Sequence, residues 1–346
     1  MSARSTVGVL AVAFLLGAGS AAHSESSLPL GGPDGESSQL HEPTACGREL
    51  TEHWVQRGPY SIYVREYSGA ESTIVLMHGF PDNLHLYDRL VPHLCGRRLV
   101  LFDFLGWGRS DKPSPEDYAY TFDNQKGELD EVIAQRGLSR PVLVGHDASG
   151  PAAINWALDH RDEIGGLVLL NTFYNLTPSS SAPEAIAIFA DLLELRTAPF
   201  VAPSVPWSFK RLSQAIATDP RMFRWLYYWQ VGSFFRDDHV RRVFLPKLYA
   251  QFARKPSSIP AFVALNRDLA DATGANTMRA LELASFDGPV RIIFGDSDPY
   301  LNADLARSLH GSFPTSDLFL LPSARHYVQM DEPEEVARLI LYAPVR

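Results

Sequence analysis

Cysteine is nearly missing from this sequence: Cys46 and Cys95 are the only two in 346 residues. Two thiols cannot supply the disulfide framework that replaces a core in small secreted domains, and neither has the neighbours of a metal site. Their spacing leaves open whether they bond to each other or stay free. Cations are in deficit too, with 31 Lys plus Arg against 40 Asp plus Glu, a formal net charge of -9 and no basic block. That balance argues against a nucleic-acid partner. The glycines of Gly106-Trp-Gly-Arg-Ser-Asp-Lys-Pro113 do not complete a dinucleotide fingerprint, and no internal repeat is visible.

Apolar residues, in contrast, make up 45% of the chain, enough for a large buried core. The leading apolar stretch, Val7 to Leu16, follows Arg4 and runs into Gly17-Ala-Gly-Ser-Ala-Ala22. It is shorter than the ~20 residues of a bilayer span, so residues 1–22 are expected to be a signal peptide. The expected location is therefore secreted or periplasmic, with no stable membrane insertion after processing; an uncleaved membrane anchor is the alternative. Residues 23–45, rich in Ser, Gly, Pro and Glu, are expected to be a disordered linker.

The remainder alternates between apolar runs and helical stretches. Around Arg57-Gly-Pro59 two alternating segments predict an antiparallel edge hairpin, and Ser72 to Met77 and Arg98 to Asp103 read as buried strands. Further strands are expected at Val142, at Ile164 to Leu170, at Pro289 to Phe294 and at Asp317 to Leu321. Helices are expected from Thr121 to Gln135, from Ala148 to Asp159 and from Pro333 onward. This order predicts an α/β fold with a mostly parallel central sheet flanked by helices, over residues 46–171 and 286–346. Residues 172–285 break the alternation, are rich in aromatics and proline, and are expected to form an inserted helical cap over the strand ends.

One stretch organises the rest. Val142-Leu-Val-Gly-His-Asp-Ala-Ser-Gly-Pro151 is an apolar strand that turns sharply into a helix, with Gly145 and Ser149 as small residues two before and two after Asp147. That is the steric pattern of a strained turn that holds up one reactive side chain. Ser149 in the same role would put Pro151 where a small residue is needed, so Asp147 is the expected nucleophile. A carboxylate needs no base to activate it, and its natural target is a saturated carbon that bears a leaving group. Hydrolysis of the resulting ester does need a base and oxyanion donors. His326, oriented by a carboxylate, suits the first, and the amide of Phe80, just after the strand-ending Gly79, suits the second. The acid is expected to be Asp298, in the loop after the strand Pro289 to Phe294, with Asp296 as second choice.

The motifs His78-Gly-Phe-Pro81, Gly106 to Pro113, Gly145-His-Asp147, Gly295-Asp-Ser-Asp298 and His326-Tyr-Val-Gln-Met-Asp331 occur in this order. From about Glu52 to its end the chain resembles an α/β-hydrolase of the epoxide hydrolase and haloalkane dehalogenase branch. The resemblance implies an Asp147, Asp298 and His326 triad, an oxyanion hole at Phe80 and Ala148, and a capped α/β-hydrolase fold. It also implies a small apolar substrate, water as co-substrate, and neither metal nor organic cofactor. Epoxide hydrolases carry cap tyrosines that protonate the leaving oxygen, and Tyr227-Tyr-Trp-Gln230 resembles the segment with the first of them, which makes Tyr228 the expected donor. The second has no counterpart near Leu265-Asn-Arg-Asp268. Dehalogenases place halide-binding donors where this chain has Phe80 and Ala148, which leaves Trp225 or Trp229 for that task; His78 is expected to join them around the substrate. Epoxide hydrolysis is the favoured expectation, haloalkane dehalogenation the alternative, and a non-catalytic small-ligand binder the reading from another class.

Overall fold

The computed structural model describes residues 46–175, 177, 183–189 and 205–343, all within one unit from Thr44 to Arg346. The expected signal peptide and linker lie outside these residues. Eight strands form one sheet: β1 (Leu50–Arg57), β2 (Tyr60–Tyr67), β3 (Glu71–Met77), β4 (Arg97–Phe102), β5 (Val142–Asp147), β6 (Gly166–Thr172), β7 (Val290–Gly295) and β8 (Ser316–Leu321). Their spatial order is β1-β2-β4-β3-β5-β6-β7-β8. β1 and β2 pair as the antiparallel edge hairpin that the sequence predicts, β2 pairs antiparallel with β4, and every later pair is parallel. Strands β5, β6 and β7 are buried along their whole length, which is why they read as unbroken apolar runs.

Helices pack on both sides because parallel strands need crossovers. The described ones are α1 (Phe122–Gln135), α2 (Ser149–Asp159), α3 (Glu184–Phe189), α4 (Val205–Thr218), α5 (Pro220–Gly232), α6 (Asp238–Ala253), α7 (Ile259–Leu283), α8 (Ala303–Ser312), α9 (Val328–Asp331) and α10 (Pro333–Leu341). Their starts follow local chemistry. Thr121 caps α1 through its hydroxyl, Asp219 and Asp237 cap α5 and α6 through their carboxylates, and Pro220 and Pro333 occupy first-turn positions. Five helices, α3 to α7, lie between β6 and β7, and no strand occurs there among the described residues.

β3 has β4 on one side and β5 on the other, so the strand order reverses there. Such a reversal opens a crevice beyond the carboxyl ends, between β3 and β5. The inserted helices reach over this crevice: Tyr227 on α5 donates its hydroxyl to the Pro81 carbonyl at 3.3 Å, and Gln251 on α6 donates to the carbonyls of Pro81 and Asp82 at 3.1 and 3.0 Å. Cys46 and Cys95, both exposed, are joined in a disulfide with a Cα–Cα distance of 5.8 Å. It ties the chain just before β1 to the loop before β4.

Candidate active site

Asp147 closes β5 with a φ of 49°, a left-handed value that a sharp strand-to-helix turn forces on a residue with a side chain. Sterics shape that turn. A Cβ at Gly145 would meet the Gly150 backbone at 3.0 Å, and one at Gly150 would lie 1.8 Å from Thr172 Oγ1. Ser149 braces the turn, with its hydroxyl donating to the carbonyls of Met77 and His146 at 2.9 and 2.8 Å while it accepts the His146 amide at 2.9 Å. Its oxygen is thus spent on backbone, and Asp147, itself buried, holds the apex of the turn.

Beyond β3, Gly79 brings the backbone against this apex; a Cβ there would sit 2.6 Å from Asp147 Cβ and 2.8 Å from its Oδ1. The close approach lets the Phe80 amide donate to Asp147 Oδ1 at 3.2 Å, and the Ala148 amide bonds the same carboxylate. Both expected oxyanion donors therefore meet at Asp147. The other oxygen, Oδ2, faces Nε2 of His326 at 3.7 Å. On its far side His326 offers Nδ1 to Asp298 Oδ2 at 2.8 Å. The structure thus brings together five of the residues expected from sequence. Asp296, the second choice for the acid, is exposed and accepts the Ser323 amide instead.

Burial sets the electrostatics. It raises the Asp147 carboxyl above its ordinary range, against the pull of His326 and of the Ala148 and Phe80 amides. Burial disfavours the charged form of His326 as well, but the Asp298 carboxylate, with Asp147 and Asp82 beyond it, outweighs that effect and raises the imidazole to about 9. Asp298 is held from three further directions. Asn171 Nδ2 donates to its Oδ2 at 2.9 Å, and the amides of Tyr300 and Leu301 donate to its Oδ1 at 2.9 and 3.2 Å.

Asn171 directly follows the apolar run Ile164 to Leu170 that the sequence marks as a strand. In the structure its side chain joins the ends of β6 and β7, accepting the Gly295 amide at 2.8 Å while it orients Asp298. A polar residue that ends an apolar strand was the available signal. His146 went unassigned too: its ring lies 4.9 Å from that of His326 and its Nε2 meets the His326 carbonyl at 3.1 Å. Burial lowers its pKa well below the ordinary value, so it is neutral. Asp82 was a further omission. Buried, it accepts the Tyr327 hydroxyl at 2.6 Å, and burial pushes its carboxyl up to about 7.

Four expected residues take other places. His78 accepts the Phe104 amide on Nε2 at 3.2 Å, so its Nδ1 carries the proton and donates to the Gly79 carbonyl at 2.6 Å. Both ring nitrogens are occupied by backbone, and His78 shapes the Gly79 turn and has no donor left for a substrate. Trp225 and Trp229 are 48% and 43% exposed and stack on each other with ring centroids 6.2 Å apart. They lie on the outer face of α5 because residues four apart share one face of a helix. Tyr228 is half-buried and packs on Tyr249, with the Arg224 guanidinium 5.1 Å from its ring. Its neighbour Tyr227, rotated by about 100°, is the buried phenol at the Pro81 carbonyl. Among the described residues no group of three or more His, Cys, Asp or Glu side chains is placed to hold a metal ion.

A turn that lifts a carboxylate into two amide donors, with an Asp-bound imidazole beside it, on a sheet of this order, defines a class of hydrolase. A family profile described as alpha/beta hydrolase fold matches residues 72–333, and the chain belongs to that family. Relatives within it include epoxide hydrolase 3 of Xenopus tropicalis, 26% identical over 289 residues that cover 80% of this chain and 72% of that one. Haloalkane dehalogenase 2 of Mycobacterium tuberculosis strain H37Rv is 27% identical over 286 residues, 81% of this chain and 89% of that one. A fluoroacetate dehalogenase of Burkholderia sp is 36% identical over 106 residues, which are 30% of this chain and only 35% of that enzyme. The solved structure of haloalkane dehalogenase DatA from Agrobacterium tumefaciens C58 superposes with a TM-score of 0.66 at 22% identity, over 86% of this chain and 97% of that one.

Proposed function

We propose that this hydrolase opens an apolar epoxide to a diol through a covalent ester on Asp147. The observation that carries the reading is the split use of one carboxylate: Oδ1 lies in the amide hole and Oδ2 is turned toward His326. In the first half, Oδ2 bonds to an epoxide carbon, the carbon–oxygen bond of the ring breaks, and the leaving oxygen takes a proton from Tyr227. Tyr227 takes this role in place of Tyr228, because its phenol is the one that α5 turns toward the oxyanion loop. Burial and the nearby Asp82 hold that phenol well above its ordinary pKa, so it stays protonated until a stronger base appears.

Esterification removes the charge of Asp147, one of the charges that raise His326. The imidazole then gives up its proton, which restores Tyr227, and becomes the base for the second half. It takes a proton from water, the hydroxide adds to the ester carbonyl, and the amides of Phe80 and Ala148 hold the oxyanion. Collapse frees the diol oxygen, which receives the proton from His326. The acid left on Asp147 protonates His326 again and closes the cycle.

Haloalkane dehalogenation is the second reading, favoured by the match that covers 89% of a haloalkane dehalogenase. It lacks side-chain donors here: Phe80 and Ala148 offer only backbone amides, and Trp225 and Trp229 face outward. A panel of epoxides and a panel of haloalkanes, with diol and halide as readouts, separates the two, and turnover of neither supports a ligand-binding role. With His326→Gln, an epoxide is expected to leave an alkyl adduct on Asp147 by intact-protein mass spectrometry. A folded His326→Gln protein that stays unmodified by a substrate of the wild type removes the covalent scheme.

A further inference from the structure

Asp331 ends the His326-Tyr-Val-Gln-Met-Asp331 motif, and none of the steps above uses it. It is buried, 5% exposed, at the end of α9. Its carboxylate joins two segments far apart in the chain. Oδ2 accepts the amide of Arg325, the residue before the base, at 2.8 Å, and Oδ1 accepts the amide of Arg236, in the connection between α5 and α6, at 3.1 Å.

Other bonds run across the same seam. Arg236 donates its guanidinium to the Asp331 carbonyl at 2.8 Å and pairs with Glu332, and Arg325 donates to the Ser233 carbonyl at 3.1 Å. Between these anchors the connection presents Phe234, whose ring is 4.5 Å from the His326 imidazole. One face of the base is therefore supplied by the insertion, and the carboxylate that registers this face also fixes the backbone next to the base.

We infer that Asp331 is a positioning residue that locks the α5–α6 connection to the His326 loop, so that the base is correctly seated only while that connection is docked. The inference rests on the covalent reading above. Its chemistry is selective for one half-reaction. Asp147 is held by the amides of Phe80 and Ala148, which Asp331 does not touch, so ester formation is spared. Ester hydrolysis depends on Nε2 of His326 reaching a water molecule, and displacement by about 1 Å is enough to slow such a step on the order of 100-fold.

Asp331→Asn tests this, because the amide keeps the size of the side chain but sets an NH2 group against one of the two backbone N–H donors. With an epoxide that the wild type turns over, the variant is expected to form the Asp147 adduct at the wild-type rate and then accumulate it. kcat and KM are expected to fall together by about 10- to 100-fold, as when a second step becomes limiting. Hydrogen exchange should quicken at the Arg236 and Arg325 amides and stay unchanged along β5 to β7. If Asp331→Asn does not fold, Arg236→Ala removes only the guanidinium bonds of the seam, and a smaller accumulation in the same direction is expected. Unchanged kcat with faster exchange at those two amides overturns the inference, and so does accumulation that accompanies loss of protection across the sheet. Failure of the covalent reading itself is separate: it appears as a missing adduct in His326→Gln.

Discussion

At the residue scale, the site depends on how closely a backbone can approach a carboxylate. Gly79 is the tightest point, since any side chain there begins 2.6 Å from Asp147 Cβ. Gly79→Ala is expected to displace the Asp147 carboxylate and lower kcat by about 100-fold. A fluorimetric melt should show that the fold survives, which separates this effect from unfolding. His326 carries the second prediction. Its folded value of about 9 lies above the ordinary 6.5, so the folded protein holds this proton more tightly than the unfolded chain does. The linked stabilisation is complete below pH 6.5 and is lost as pH rises through about 9. Asp298→Asn removes the largest attraction that raises it, so the stability gap between wild type and variant is expected to be widest near pH 6 and to narrow toward pH 10. Denaturant midpoints across that range check the sign.

At the scale of elements, α5 shows how a helix divides neighbouring aromatics between two environments. Arg221, Arg224, Trp225 and Trp229 are exposed, while Phe223, Leu226, Tyr227 and Gln230 are buried. Tyr227→Phe is expected to slow adduct formation by about 100-fold, the usual worth of a general acid. Tyr228→Phe and Trp225→Ala are expected to leave it within about twofold, and rapid-quench measurement of the first turnover distinguishes the two classes. Composition predicted a helical cap over this region, and the family pattern pointed to the second tyrosine of its Tyr-Tyr pair. The helical cap was legible but the rotation of α5 was not, because Tyr-Tyr-Trp contains three large aromatics in a row and the burial pattern depends on which of them meets Pro81 and Phe252.

At the scale of the molecule, the disulfide closes a segment that contains β1, β2, β3 and the loops between β3 and β4. With a separation of 49 residues, a chain-entropy account puts its contribution at about 4 kcal/mol. Cys95→Ser is expected to lower unfolding stability by up to that amount while leaving kcat close to wild type, because the bridge lies away from Asp147 and His326. Equilibrium denaturation with and without reductant measures the first, and steady-state turnover the second. Spacing could not reveal the pairing, since it needs the turn into β1 and the loop before β4 to converge.

What the sequence determined by itself is what short-range sterics and periodicity encode. The unbroken apolar runs required strands buried on both faces, the small residues around Asp147 required a tight turn, and the order of Asp147, Asp298 and His326 placed three reactive groups at three strand ends. Tertiary structure decided which way each remaining group turns. His78 is consumed by the backbone of residues 79 and 104, Asn171 serves Asp298, Tyr227 rather than Tyr228 meets the oxyanion loop, and Asp331 reaches Arg236. The physical reason is the same in each case. A hydrogen bond between residues far apart in the chain depends on the position of both partners, and only the packed sheet with its inserted helices brings those partners within reach.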